Sequence, residues 1–285
     1  MRHPTTEEVT AANVLFHEGL AATYEDRAEL FHPRVLASYQ AIFDHQVFSA
    51  FPRTQRLDAI DVGCGTGLLE RFLLPRAQTV VGYDVSPAML ARARARFPGV
   101  DYRLGDAYAV PLDRTYDVVC ENALLHHLKD WERALDRLAA LVKPDGVLYL
   151  GYEPNALAFR VLGPLRAVYR RVVPEARVAA VMHGTHGTHG THGTHGTHGG
   201  HGELEHIAEY HQFFAAGLSP WRIARRLRSA GFSQVKLLFR GEHVLAQLLD
   251  RTGSRLVGRL LDVAPSSLLR LAGPLTPNFH LVARR

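Results

Sequence analysis

The residues best suited to chemistry begin with Asp61-Val62-Gly63-Cys64-Gly65-Thr66-Gly67, between an apolar run ending at Ile60 and a helical pattern, Leu68 to Leu74. Glycines at alternate positions strip β-carbons from a strand-to-helix turn, so a ligand can approach the backbone closely. Asp61 falls where the strand ends, at the carboxyl edge where open α/β sheets take nucleotides. A second apolar run, Thr79 to Tyr83, closes on Asp84. An acid there can accept both hydroxyls of a ribose. Further along come Gly105-Asp106-Ala107, and then Glu121-Asn122 followed by His126-His127. Imidazole titrates near neutrality, so either histidine is chemically able to take a proton.

The glycine spacing separates two cofactor classes. The dinucleotide pattern Gly-x-Gly-x-x-Gly needs glycine at 68 or 70, and the chain has Leu68 and Glu70. The observed Asp-x-Gly-x-Gly-x-Gly instead resembles the first motif of the class I S-adenosylmethionine-dependent methyltransferases. The resemblance covers about residues 10–155, 219–240 and 277–284, and includes Asp84, Asp106 and the Ala-Leu-x-His-His segment 123–127. It implies S-adenosyl-L-methionine as cofactor, held by Asp61, Gly63, Cys64, Gly65, Gly67, Asp84, Val85, Asp106, Ala107, Glu121 and Asn122. Asp106 would meet the adenine amino group. Tyr24 is either an aromatic folded over the cofactor or a core tyrosine. His126 and His127 are the catalytic candidates: one takes an acceptor proton, or the pair packs around the cofactor. No metal ligand set is assigned.

The elements that must position these groups read as βαβαβ with helix-length crossovers, hence a parallel sheet. Strands are expected at 57–60, 79–84, 100–104, 116–120, 147–152, 234–239 and 278–283, with a turn at Lys143–Gly146. Ser86-Pro87 and Ser219-Pro220 read as helix starts, with serine as N-cap and proline in the first turn. The expected fold is α/β: a doubly wound, mostly parallel seven-stranded sheet with N-terminal helices and helical cap insertions. Residues 1–52 form the N-terminal helices. The cofactor-binding core takes 53–155, 219–240 and 276–285. A helical cap takes 156–182 and 203–218, and a second helical insertion takes 241–275, with helices at 244–249 and 256–261.

Residues 183–202 hold perfect His-Gly-Thr triplets, 183–197, and then looser ones. Glycine every third residue and no apolar side chain argue for a disordered loop. As an extended left-handed helix the tract would align its histidines and could hold Zn²⁺, Ni²⁺ or Cu²⁺. Arg160, Arg166, Arg170, Arg171 and Arg177 make 156–182 either an active-site cover or a peripheral contact for anionic lipid.

The chain has 285 residues, a net charge of +5 and two cysteines. That length accommodates one α/β domain with insertions, and so few cysteines fit a reducing cytoplasm. No apolar run reaches the ~18 residues of a membrane span. The arginines are dispersed, which argues against a nucleic-acid footprint. Asn-Pro-Pro-Tyr, the mark of nucleic-acid amine methylation, is absent after the fourth strand. The expected activity is methyl transfer to a small-molecule or lipid-like acceptor, at oxygen or carbon rather than nitrogen. An RNA or protein methyltransferase, or a non-catalytic scaffold that binds metal through the histidine tract, are the alternatives. Oligomeric state is not legible.

Overall fold

The computed structural model describes residues 3–161, 200–213, 217–243, 246, 249, 255–263 and 273–285. Apolar runs bounded by turns become strands: β1 Leu57–Val62, β2 Ala77–Asp84, β3 Asp101–Leu104, β4 Tyr116–Asn122, β5 Val142–Pro154, β6 Gln234–Leu238 and β7 Asn278–Arg284. They form one seven-stranded sheet in the order β3-β2-β1-β4-β5-β7-β6. The pairs from β3 through β5 are parallel, and β7 enters antiparallel between β5 and β6. Strand order reverses between β1 and β4, which opens a crevice at their carboxyl ends. The doubly wound sheet expected from the sequence is therefore present, and β6 and β7 pair as neighbours despite the long insertion between them.

Helices cover both faces: α1 Thr6–Leu20, α2 Pro33–Ile42, α3 Glu70–Leu73, α4 Pro87–Arg96, α5 Trp131–Ala140, α6 Gly200–Ala208, α7 Pro220–Ser229 and α8 Arg255–Val263. One core packs Tyr39, Phe43, Phe72, Leu90 and Tyr149 on one side of the sheet. The other packs Val119, Leu135, Leu138, Ile223 and Leu227 on the opposite side. Local chemistry starts the helices as read. Thr5 and Glu8 form a reciprocal capping box on α1, and Ser86 and Ser219 cap α4 and α7 ahead of a proline.

Several boundaries differ from expectation. The N-terminal region is broken by a 3₁₀ turn, Ala21–Asp26, and a π turn, Phe43–Val47. The expected turn Lys143–Gly146 is absorbed into β5, with Asp145 in the left-handed region at φ 61°. Helix α6 opens at Gly200, inside the last residues expected as disordered loop; it packs along α1 and buries Ala208 fully. Residues 162–182 of the expected cap and lipid-contact segment, 183–199 of the histidine repeat, and much of 241–275 lie outside the described residues. Among the described residues no helix is long and apolar enough to cross a membrane.

At the opposite edge of the sheet, Asp58 binds Thr79 Oγ1 at 2.6 Å, Lys143 Nζ at 3.1 Å and Arg114 Nη2 at 3.0 Å. Burial alone would raise its carboxyl, but the Thr79 hydroxyl and the Lys143 ammonium outweigh it and hold the group well below the carboxylate range. A carboxyl depressed in the folded state stabilises fully above its unfolded pKa, about 3.9; the contribution is lost as pH falls through the folded value. Asp58→Asn is expected to cost about 1 kcal/mol at neutral pH, roughly 2–4 °C in Tm. The deficit should shrink below about pH 4, as thermal melts across pH will read.

Candidate functional site

The turn after β1 is held open by sterics. Gly63 has φ 74°, and a β-carbon there would meet Leu124 Cδ1 at 2.9 Å. Gly65 has φ 53°, and a β-carbon there would meet nothing within 4 Å. Its backbone thus borders open space, and its N–H donates to Asp84 Oδ2 at 2.8 Å. The other Asp84 oxygen accepts Ser86 N–H at 2.8 Å. Asp84 is raised from its ordinary value chiefly by burial. Asp106 accepts Tyr108 N–H at 2.9 Å and the Thr10 hydroxyl at 3.4 Å. Asn122 Oδ1 accepts the Tyr39 hydroxyl at 2.9 Å, and Ala123 takes a left-handed φ of 59°, uncommon for a residue with a β-carbon.

These groups line a cavity of about 650 Å³, open mouth included, at the carboxyl ends of the parallel strands. The volume suits a small organic ligand. Tyr24, Gly63, Gly65, Asp84, Val85, Asp106, Ala107, Asn122 and His127 all border it. The lid is α1, which adds Thr10, Asn13 and His17. Sequence reading missed those three, although their i, i+3, i+7 spacing sets polar groups on one face of a capped helix. Asn13 donates to the His127 carbonyl at 2.9 Å, and its buried Oδ1 has no hydrogen-bond partner.

Five expected site residues do not reach the cavity. Asp61 is fully buried beside Glu70; burial, then the charges of Glu70 and Asp84, push its carboxyl well up. Cys64 turns into the core. Gly67 has φ 87° and backs onto Phe97, whose ring a β-carbon would meet at 3.0 Å, so backbone and packing rather than a ligand require it. Glu121 accepts the N–H groups of Leu124 and Gly151 at 2.9 and 3.2 Å. His126 is committed on both nitrogens: Nδ1–H donates to Glu153 Oε2 at 3.0 Å, and Nε2 lies 3.4 Å from Glu209 Oε2. Burial alone would lower His126, but the Glu153 and Glu209 carboxylates outweigh it and push the imidazole up to about 10.

Glu153, at the end of β5, organises this wall. Its carboxylate accepts the backbone N–H groups of Leu124, Leu125 and His126 at 2.9, 2.8 and 3.1 Å, besides the His126 ring. His127, one residue on, donates Nδ1–H to the Ala208 carbonyl at 2.9 Å. Burial, and then the His126 charge, hold His127 well below its ordinary value. Glu153 and Glu209 escaped sequence reading because the contacts that define them cross 27 and more residues.

A model described as a methyltransferase domain matches residues 60–150. Trans-aconitate 2-methyltransferase of Methylobacterium radiotolerans is 42% identical over 102 residues, covering 34% of this chain and 38% of the relative. Malonyl-[acyl-carrier protein] O-methyltransferase of Acetivibrio thermocellus is 37% identical over 97 residues, covering 33% and 34%. The chain thus spans well under half the length of these curated relatives. Among solved structures, the DhpI–SAM–HEP complex superposes with a TM-score of 0.54 at 17% identity, covering 99% of this chain and 100% of that one. The latter likeness is one of fold.

Replacing Glu153 by Gln leaves donors of the 124–126 segment facing an amide nitrogen that cannot accept them. Each unmatched buried donor costs about 1–3 kcal/mol, so Glu153→Gln is expected to lose about 2–3 kcal/mol, read by denaturant unfolding.

Proposed function

We propose, since the chain belongs to the class I S-adenosylmethionine-dependent methyltransferases, that it methylates an oxygen of a small-molecule or lipid-like acceptor, with carbon as the second choice. The observation that carries this reading is the convergence of the open Gly65 backbone with Asp84 and Asp106 at the crevice beside α1. The residues fit the donor. Asp84 would accept the ribose hydroxyls, and Asp106 the adenine amine. The unpartnered Asn13 Oδ1 offers a further acceptor to an amine, and Tyr24 supplies an aromatic wall. When bound, S-adenosylmethionine supplies a methyl carbon already made electrophilic by its sulfonium.

The chain's own residues then have to align and to exclude water, and orientation of this kind supplies on the order of 7–11 kcal/mol in favourable cases. His126 is no base, because both of its nitrogens face carboxylates. His127 borders the cavity with its Nε2 on the side away from Ala208. An acceptor already ionised, such as a carboxylate, needs no base at all. The malonyl-[acyl-carrier protein] relative is an O-methyltransferase, which supports oxygen over nitrogen. The absence of Asn-Pro-Pro-Tyr after β4 argues against nucleic-acid amines as acceptors.

Incubation with methyl-labelled donor and fractionated extract tests the reading: label is expected in acidic small molecules or lipids, and label confined to RNA or protein would refute it. Asp84→Ala removes hydrogen bonds to a charged group, each worth about 1.5–3 kcal/mol. Calorimetry is accordingly expected to show donor binding weakened roughly 100-fold or more.

A further inference from the structure

His126 and His127 sit on a 3₁₀ turn, Leu125–His127, with ring centroids 4.1 Å apart. Glu209, just past the end of α6, faces them. One ligand-capable atom from each of the three lies within 4.8 Å of the other two. Both rings are oriented from behind. His126 Nδ1–H is fixed by the Glu153 carboxylate at 3.0 Å, and His127 Nδ1–H by the Ala208 carbonyl at 2.9 Å. A bound cation would displace the Nε2 proton of His126, and both Nε2 lone pairs would then face a common partner, as a carboxylate or carbonyl behind an imidazole arranges at metal centres.

The His126–Glu209 separation matches one edge around a bound metal. His126 Nε2 stands 3.4 Å from Glu209 Oε2, beyond the usual reach of N–H···O. A tetrahedron with bonds of about 2.1 Å has edges of about 3.4 Å. Two imidazoles and a carboxylate form a ligand set for zinc or non-haem iron with positions left open. Glu153 and Glu209 bring two negative charges to the cluster, which a divalent cation would offset. His127 also borders the cavity, so the open side adjoins it.

We propose that His126, His127 and Glu209 form a binding site for one divalent transition-metal ion of the Zn²⁺ type at the edge of the cavity. The sequence offers His126 and His127 as a base or as packing around the cofactor, not as metal ligands, and the metal site stands independently of the methyl-transfer reading.

The purified full chain is titrated with Co²⁺, followed by visible d–d absorption, and then displaced with Zn²⁺. The repeat could bind metal too, so a second chain carries Gln at His183, His186, His189, His192, His195, His198 and His201. Both chains are expected to bind one equivalent with the intense bands of a low-coordinate site. Glu209→Gln and, separately, His127→Gln should weaken that equivalent more than ~100-fold, the upper range for loss of a supporting partner alone. Metal-free melts verify folding, and either variant alone suffices if the other fails to fold. The proposal is overturned if no such bands form, if they vanish with the repeat histidines, or if they survive in a folded Glu209→Gln or His127→Gln chain.

Discussion

One buried carboxylate fixes the segment on which the site depends. Glu153 is fully buried, and its oxygens gather backbone N–H groups from Leu124, Leu125 and His126 plus the His126 imidazole. Burying a carboxylate is costly unless it is paired and hydrogen-bonded, so this charge holds the 124–126 backbone in one place. The left-handed turn at Ala123, its N–H donated to the Gly151 carbonyl at 2.7 Å, is part of the same arrangement.

Other elements then dock on the backbone that Glu153 positions. Helix α1 reaches the His127 carbonyl through Asn13. The short helical turn after α6 reaches the Leu128 carbonyl through His211 Nε2 at 2.9 Å. The carbonyl at the end of α6 receives His127. Each contact satisfies a backbone or ring group that would otherwise be buried unpaired, at about 1–3 kcal/mol apiece. The lid over the cavity is thus specified by hydrogen bonds together with the burial of Val9 and Ala12, whereas the sheet beneath it is specified by apolar burial.

Acidic groups on the other side of the turn are arranged differently. Asp61 and Glu70 meet in the core, where burial raises both, Glu70 to about 8. Asp84 stands next to them with both oxygens engaged by the backbone. Like charges this close cannot all be ionised in a poorly solvated site. Asp61 therefore supports the turn from behind, while Asp84 presents its remaining lone pairs to the cavity.

The sequence by itself determined the strands, the mostly parallel character of the sheet, the capped helix starts, and the glycine turn and Asp84 at its carboxyl edge. These follow from local rules: apolar runs, turn glycines, serine and proline at helix starts, and an acid closing each strand. It did not separate Asp84, which faces the cavity, from Asp61, Cys64, Gly67 and Glu121, which back it, because adjacent residues in a strand or turn point in opposite directions and register decides between them. Only the tertiary structure placed α1 over the crevice and set Glu153 and Glu209 against His126. Those partners come from elements far apart in the chain, and their pairing is fixed by burial, which local sequence does not encode.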